Sequence, residues 1–461
     1  MFHDEFTRDL RPFPYDYDAA QQEFYEGQQF AVSSLISYSC EDLSGVAELE
    51  LNGPEPAPDL ARVTRSQPKP GRFEPGESGS TRYIIEIVTD SEGIRALRPD
   101  YEHLHYVTGN TLPFALHEWH LAWCDHFLNR HAKIEDQPLF CVVRDGTRKC
   151  VGIVPLISTR RKLGPLKLVT VGLIGADPGL TEIRGPLIKP GYEQPTLQAV
   201  RHALARVPDW DWIEWNGLNE EAAAALDRET GAQWCGVSED YVLDLPSSWE
   251  QFRTQLGRNV RESLRHCYNS LKRDGHAFEF VIAREREEVR QALGRFFALH
   301  RMRATMAHGP KHPDRFAGRA LQTFFYDVCD RLAARDAVRI FQLRIAGAIV
   351  ASRVGFLTRD SVYFYYSGFD PAWGRYSVMT TTLAEALKYS IADGIKTANL
   401  SLYTERSKLR WRPRRVEFRS ALISREPLRS RAACTAYRWV RSSDATTARL
   451  LKGLWFHRQW N

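Results

Sequence analysis

Val338-Arg-Ile-Phe-Gln-Leu-Arg-Ile-Ala346-Gly347-Ala-Ile-Val-Ala-Ser-Arg-Val-Gly-Phe356 is two apolar runs, rich in β-branched residues, around an Ala-Gly step. Such runs joined by two turn residues predict a β-hairpin. Outward from it, residues 361–367 and 397–402 read as strands on either side of a helix at 377–392. Upstream, a strand at 278–282 precedes helices at 285–303 and 315–334. The same order stands earlier in the chain. A strand from Tyr83 and helices at 91–104 and 117–130 lead to a second hairpin around Asp145-Gly146. A strand at 166–173, a helix at 195–205 and a strand at 212–215 then follow, with another strand from Tyr241. The turn glycines, Gly146 and Gly347, are 201 residues apart. This is a duplication of pattern with little identity. Helices before a hairpin and one after it imply a mixed-sheet α/β (α+β) class.

Trp249, Phe252, Leu256, Val260, Leu264, Tyr268 and Leu271 recur at helical steps between the halves, interleaved with Arg253, Arg258, Arg261, Arg265, Lys272 and Arg273. The spacing predicts one basic amphipathic helix over 248–272, capped by Ser247 or Ser248. Its cationic face suits an anionic partner, a nucleotide, tRNA or acidic glycan. The organisation is therefore an acidic, disordered leader and Pro/Gly-rich linker over 1–80, a first domain over 81–245, and the bridging helix over 246–275. A second domain spans 276–424, and a basic amphipathic tail 425–461.

Charge follows these divisions. Residues 1–59 carry −11, residues 425–461 carry +6, and the whole chain +5. The tail, with Leu451 and Trp455 among its apolar residues, predicts two short helices, fit for packing on the second domain, for an anionic membrane or for the acidic leader. A short helix is also expected around residues 18–39. No run approaches the ~18–20 apolar residues of a membrane span, and the start lacks a secretory pattern. The 8 cysteines have no paired spacing, and the 14 histidines form no metal-ligand cluster. These features imply a cytoplasmic location with reduced thiols and no metal. Phosphate-loop, dinucleotide, zinc-hydrolase and serine-hydrolase motifs are missing from the sequence.

Two blocks carry a family resemblance. Tyr365-Tyr366-Ser-Gly-Phe-Asp-Pro-Ala-Trp-Gly374-Arg375-Tyr376-Ser377 resembles a block that reads YY-SGYDP and then RYSPG in its relatives. Ala398-Asn-Leu-Ser-Leu-Tyr403-Thr-Glu405-Arg-Ser-Lys408-Leu-Arg-Trp411 resembles FDLGRGDEPYKLRW. Val378 and Met379 depart from the usual Pro-Gly, and Asn399, Ser401 and Ser407 replace Asp, Gly and Tyr. Weaker matches lie at Pro113–Trp119 and from Tyr241 into the basic helix. The chain resembles GNAT acyltransferases of the CelD/BcsL kind, associated with bacterial cellulose and exopolysaccharide gene clusters, over roughly 83–424. Those proteins are tandem GNAT folds similar to Fem-type and leucyl-phenylalanyl transferases.

The resemblance implies N- or O-acyl transfer from acetyl-CoA or another acyl-CoA, with no metal. The acceptor would be a small amine or hydroxyl, or a glycan precursor in exopolysaccharide or cellulose biosynthesis. The pantetheine arm would lie in a splay between the strands at 362–367 and 397–402. The pyrophosphate would sit at the next helix start, against Gly374, Arg375, Tyr376 and Ser377. Lys408 is the candidate catalytic or phosphate-contacting charge. Glu405 is the candidate base for an ammonium, and Tyr366 or Tyr403 could protonate the departing thiolate. His300, Arg301 and Tyr403 would line the acceptor cleft. The first half lacks a comparable anion-binding start and reads as a degenerate wall. Two alternatives stand beside this: Fem-like transfer from aminoacyl-tRNA, and a non-catalytic exopolysaccharide assembly factor.

Overall fold

The structure, a computed structural model, describes residues 45–50, 82–131, 133–163, 166–177, 179–228, 232–306 and 312–442. In chain order the first half contains β1 (Gly45–Glu50), β2 (Arg82–Val88), α1 (Ser91–Ala96), α2 (Arg98–Thr108), α3 (His117–Phe127), β3 (Arg130–His131) and β4 (Ile134–Arg144). It continues with β5 (Cys150–Leu163), β6 (Leu166–Leu173), β7 (Leu187–Ile188), α4 (Glu193–Arg206), β8 (Trp212–Leu218), α5 (Glu220–Asp227) and β9 (Ala232–Asp244). The second half begins with α6 (Trp249–Gln255), α7 (Arg258–Arg273), β10 (Phe278–Ala283), α8 (Arg286–Ala304), α9 (Arg319–Ala333), β11 (Val338–Ile345) and β12 (Ala348–Thr358). It ends with β13 (Ser361–Phe369), a 3-10 turn (Pro371–Tyr376), α10 (Val378–Ala392), β14 (Thr397–Leu402), α11 (Arg406–Leu409), β15 (Arg414–Ser424) and α12 (Leu428–Ser442).

All described strands join one sheet, in the order β1-β2-β4-β5-β6-β8-β15-β9-β14-β13-β12-β11-β10, with β3 and β7 added beside β4 and β5. The duplication is written into it. In the first half β4, β5 and β6 run antiparallel, and β6 pairs in parallel with β8 across α4. In the second, β11, β12 and β13 run antiparallel, and β13 pairs in parallel with β14 across α10. The last strand of each half crosses over: β9 pairs with β14, and β15 with β8. β9 and β15 also pair with each other, so the junction is a reciprocal strand exchange. The halves are therefore continuous through main-chain hydrogen bonds, not two separate sheets.

Helices cover both faces. Aromatic residues from both halves, among them Trp119, Phe324, Phe356 and Tyr363, make one core under α3, α8 and α9. On the other face α4 and α5 cover the first half, while α6, α7 and α10 cover the second. Alternation of buried and part-buried positions is weak along β11 and β13, as fits strands covered on both sides.

Several expectations change. The basic bridging helix is two helices, because Leu256 and Gly257 adopt extended ψ values of 142° and 153° between α6 and α7. Ser248 caps α6, its hydroxyl accepting from the Gln251 N–H. The Gly347 turn is the two-residue kind, with Ala346 and Gly347 both at positive φ. The other hairpin is not. Its loop runs from Asp145 to Lys149, Asp145 accepts from the N–H groups of Thr147 and Lys149, and Arg148 is the left-handed residue. Within the segment read as a leader, Gly45–Glu50 forms an edge strand against β2. The helix expected around residues 18–39, the linker, and Leu451 and Trp455 lie outside the described residues. The described tail helix, α12, buries Cys434, Tyr437 and Val440 against Leu168, Trp212 and Leu422, so it packs at the strand-exchange junction on the first-half side.

Candidate active site

β13 and β14 pair only over Ser361–Tyr363 and Thr397–Asn399. Beyond that register the two strands continue apart, β13 to Phe369 and β14 to Leu402, leaving a wedge-shaped opening between parallel strands. Parallel strands that part this way offer unladdered backbone groups to a ligand, at the strand ends where open α/β sheets bind. The end of β14 is strained: Ser401 and Tyr403, neither a glycine, have φ of 72° and 74°. L-residues enter this region at a cost and cluster there at functional sites. Asn399 holds the strained turn by accepting from the Ser401 N–H at 2.7 Å.

Residues from the first half wall the opening. Asp177 accepts from the N–H groups of Leu180 and Thr181 and from the Thr181 hydroxyl, which folds the loop after β6 tightly. That loop delivers Glu182 to a buried position where it accepts from the Tyr363 hydroxyl at 2.6 Å and the Ser401 hydroxyl at 2.8 Å. Asp240, at the crossing end of β9, accepts from Asn399 Nδ2 at 2.7 Å and lies 3.4 Å from the Tyr363 hydroxyl. Burial raises both carboxyls, Asp240 to about 7, and the nearby charge of Glu182 adds to the Asp240 shift.

On the open side stand Arg303 (α8), Arg353 (β12), His312, Glu405 and Lys408. Glu405 opens α11 and Lys408 follows one turn later, which aims the ammonium back at the carbonyl of Leu402, its hydrogen-bond partner. Burial lowers the lysine, and Glu405 opposes that. Burial raises Glu405, but Lys408, the Ser407 hydroxyl and Arg303 outweigh it and hold the carboxyl below its ordinary value. His312 is pushed down to about 4 by burial and by Arg303, and so is neutral.

The expected site residues divide. Lys408, Glu405 and Tyr403 gather at the end of β14. Tyr366 faces the first half, its hydroxyl donating to the Gly179 carbonyl at 2.6 Å, which makes it a fastening for the wall. His300 is buried; its Nδ1 faces the Ser367 carbonyl at 3.0 Å, and Nε2 accepts from the Arg315 N–H. It therefore ties α8 to β13. The approach there is so close that a Cβ on Gly368 would lie 2.3 Å from the His300 nitrogen. Arg301 is exposed and paired with Asp314 at 3.5 Å. Arg303 was missed, although it lies three residues after the buried His300 and so on the same helix face.

Gly374, Arg375 and Tyr376 form the 3-10 turn, and Ser377, at φ 52°, leads into α10 without a side-chain cap. Arg375 is exposed and leans on the Tyr376 ring, 3.9 Å from Asp274 at the end of α7. A different cation, Arg410, acts on Cys267 of α7, which the Ser377 and Thr381 hydroxyls also meet. The Cys267 thiol is raised by burial, and the Arg410 charge together with the Ser377 and Thr381 hydroxyls acts against the rise. Arg410 and the start of α10, where N–H groups favour anions, thus share Cys267 as a neighbour. It lies within the matched block, so position after Lys408 was the signal available for it. Trp411 is buried and stacks toward Phe252, which seats the block on α6.

The first-half wedge differs. β6 and β8 also pair over a short parallel register, Thr170–Gly172 with Trp212–Glu214. There Tyr437 of α12 stacks on Trp212 and donates to Glu214. Its following helix, α4, begins with Glu193, whereas α10 has no acidic residue in its first turn. An acid at that position opposes a bound anion.

Comparison with known proteins places the second half. Residues 258–410 match the family model described as Acetyltransferase (GNAT) domain. The segment is a GNAT acetyltransferase domain and the protein is an acyltransferase enzyme. Among solved structures, the chain is similar to the C-terminal domain of a putative lysylphosphatidylglycerol synthetase from Agrobacterium fabrum, at 11% identity and TM-score 0.44, covering 77% of this chain and 99% of that one. It is similar to FemX at 11% identity and TM-score 0.44, covering 65% and 94%. A tandem GNAT protein from the clavulanic acid biosynthesis pathway gives 12% identity and TM-score 0.41, covering 74% and 99%. No curated protein matches the chain. Among the described residues no helix is long and apolar enough to cross a membrane, and no group of three or more His, Cys, Asp or Glu stands as a metal-holding set.

Proposed function

We propose that the chain moves an acyl group from acyl-coenzyme A to an amine or hydroxyl acceptor, and that transfer takes place in the β13/β14 wedge. One observation carries this reading: the parallel register stops at Tyr363 and Asn399, and the opening it leaves ends on Lys408 and Glu405. The features of the site fit an acyl-coenzyme A. Unladdered strand edges can pair with pantetheine amides, and the α10 start with Arg410 can take the pyrophosphate. Bound there, the thioester supplies the acyl group.

The side chains then divide the work. Glu405, held ionised by Lys408 and Arg303, accepts the proton that an acceptor ammonium or hydroxyl sheds. Lys408, anchored on the Leu402 carbonyl, presents positive charge where carbonyl oxygen becomes negative. Glu182, Asp240, Tyr363 and Asn399 hold the strained end of β14 in place, so this charge is fixed in advance. Arg375, engaged with Asp274, is secondary in donor binding. The same site would serve a glycan precursor in exopolysaccharide or cellulose biosynthesis in the cytoplasm.

Purified protein given acetyl-CoA and longer acyl-CoAs with amine and hydroxyl acceptors should release free thiol. A second reading, transfer from aminoacyl-tRNA, rests on the exposed Arg253, Arg258, Arg261 and Arg265 along α6 and α7. Parallel incubation with charged tRNA separates the two. Thiol release without tRNA supports the first, and deacylation of tRNA without thiol release replaces it.

A further inference from the structure

We propose that the acceptor bears an oxyanion, a carboxylate or phosphate, and that Arg303 and Arg353 bind it. This rests on the wedge being the transfer site and names the class of substrate it takes. Arg353 on β12 stands opposite Ser367 on β13 in the strand register. Arg303 reaches the same residue from α8, donating to the Ser367 hydroxyl at 3.1 Å. The Arg303 guanidinium thus lies at Ser367, and that of Arg353 near the Tyr365 carbonyl and 5.9 Å from the Phe364 ring centre on the same strand, close enough for the two charges to act on each other.

Their charges are not matched. Among the described residues neither arginine, nor Lys408, makes an ion pair within 4 Å, whereas Arg144, Arg286, Arg331 and Arg335 do. Arg353 Nε is buried with no hydrogen-bond partner, and Nη1 has only the Tyr365 carbonyl at a long 3.5 Å. Arg303 spends one Nη on Ser367 and the other on neutral His312. Among the described residues Glu405 is the one carboxylate acting on all three cations, with Glu182 and Asp240 behind the β14 end. Burial lowers both arginines, the nearby charge of Arg303 lowers Arg353 further, to about 10, and Glu405 opposes the fall in each.

Crowded, half-buried guanidinium groups that share a single carboxylate with a lysine are costly unless something brings further negative charge. Their planar forks match carboxylate and phosphate oxygens. Arg303 and Arg353 would thus hold the acceptor by its anionic end. Its amine or hydroxyl would then face Glu405 and Lys408.

The test is calorimetric titration of the full chain, without acyl-CoA, using two matched pairs: glycine against glycinamide, and O-phosphoethanolamine against ethanolamine. At least one anionic probe should bind tenfold or more tightly than its neutral partner, and that preference should vanish in Arg353→Met. The pair that shows it distinguishes carboxylate from phosphate. Coenzyme A, titrated separately, should bind wild type and variant within twofold. Equal binding of both members in both pairs, or a preference unchanged in Arg353→Met, overturns the proposal. Loss of coenzyme A binding by wild type with the anion preference intact defeats the donor reading instead. Should Arg353→Met not melt cooperatively, Arg353→Lys, which keeps the charge but not the fork, must still lose severalfold. An undiminished preference there counts against a guanidinium site.

Discussion

The Tyr363 hydroxyl of β13 donates to Glu182, 181 positions earlier in the chain, at 2.6 Å. A first-half loop thereby fixes the strand edge from which the second-half wedge opens. Ser401 and, through Tyr363 and Asn399, Asp240 belong to the same buried chain of hydrogen bonds. Buried networks of this kind rigidify a site when every member is satisfied.

Removing Glu182 leaves two buried hydroxyls without their acceptor. Glu182→Ala should cost about 1–3 kcal/mol, the scale of an orphaned buried polar group. Urea unfolding of wild type and variant reads this directly, and a change within ~0.5 kcal/mol would show the contact to be idle.

Ser401 occupies a left-handed position where the resembled family has glycine. Ser401→Gly and Ser401→Ala both lose the hydroxyl bond to Glu182, but only the alanine keeps the strain. Ser401→Gly should therefore be the more stable of the two by about 1 kcal/mol. Equal stabilities would mean that the backbone there relaxes without cost.

Asp240 sets a pH dependence. Its folded value, raised by burial to about 7, lies above its ordinary 3.8, so the folded state holds the proton longer than the unfolded chain. The stability this group contributes is full below about pH 4 and is lost as pH climbs through about 7, at up to ~1.4 kcal/mol per unit. Glu182 acts in the same direction. Asp274 and Asp327, lowered to about 2, contribute oppositely but only in acid, as pH falls below about 4. Unfolding free energies at pH 5 and pH 7.5 should differ less in Asp240→Asn than in wild type. An equal difference contradicts the assignment.

Glu405→Gln should lower kcat about 10²-fold or more with acceptor KM little changed, because the base acts on the proton in flight. Lys408→Met should cost about 10²–10³-fold. Steady-state thiol release with saturating acyl-CoA measures both. Retention of kcat in either variant would remove that residue from the chemistry.

The hairpin–strand–helix–strand repeat was legible because period and turn chemistry are local. The Ala346-Gly347 turn and α10 lie within a residue of where the pattern puts them. The strand exchange of β9 and β15 was not legible, since which half a strand joins is settled by packing across the sheet. For the same reason Glu182 and Asp240 escaped notice: a lone acid in a loop or at a strand end carries no local mark of burial. Lys408 and Glu405 came from the block match, and the structure brings them together at the end of β14. Arg375 was chosen for its place before a helix. The contact that draws it aside, Asp274, comes from α7, about a hundred residues away in sequence.

The central claim, one donor site at the β13/β14 wedge with its anion held at the α10 start, is tested most directly by calorimetric titration of coenzyme A. Wild type should bind one equivalent per chain, and Arg410→Glu should weaken it by about 1–3 kcal/mol, well beyond the effect of Arg375→Glu. Absence of binding, a second equivalent, or an affinity indifferent to Arg410→Glu would contradict the account.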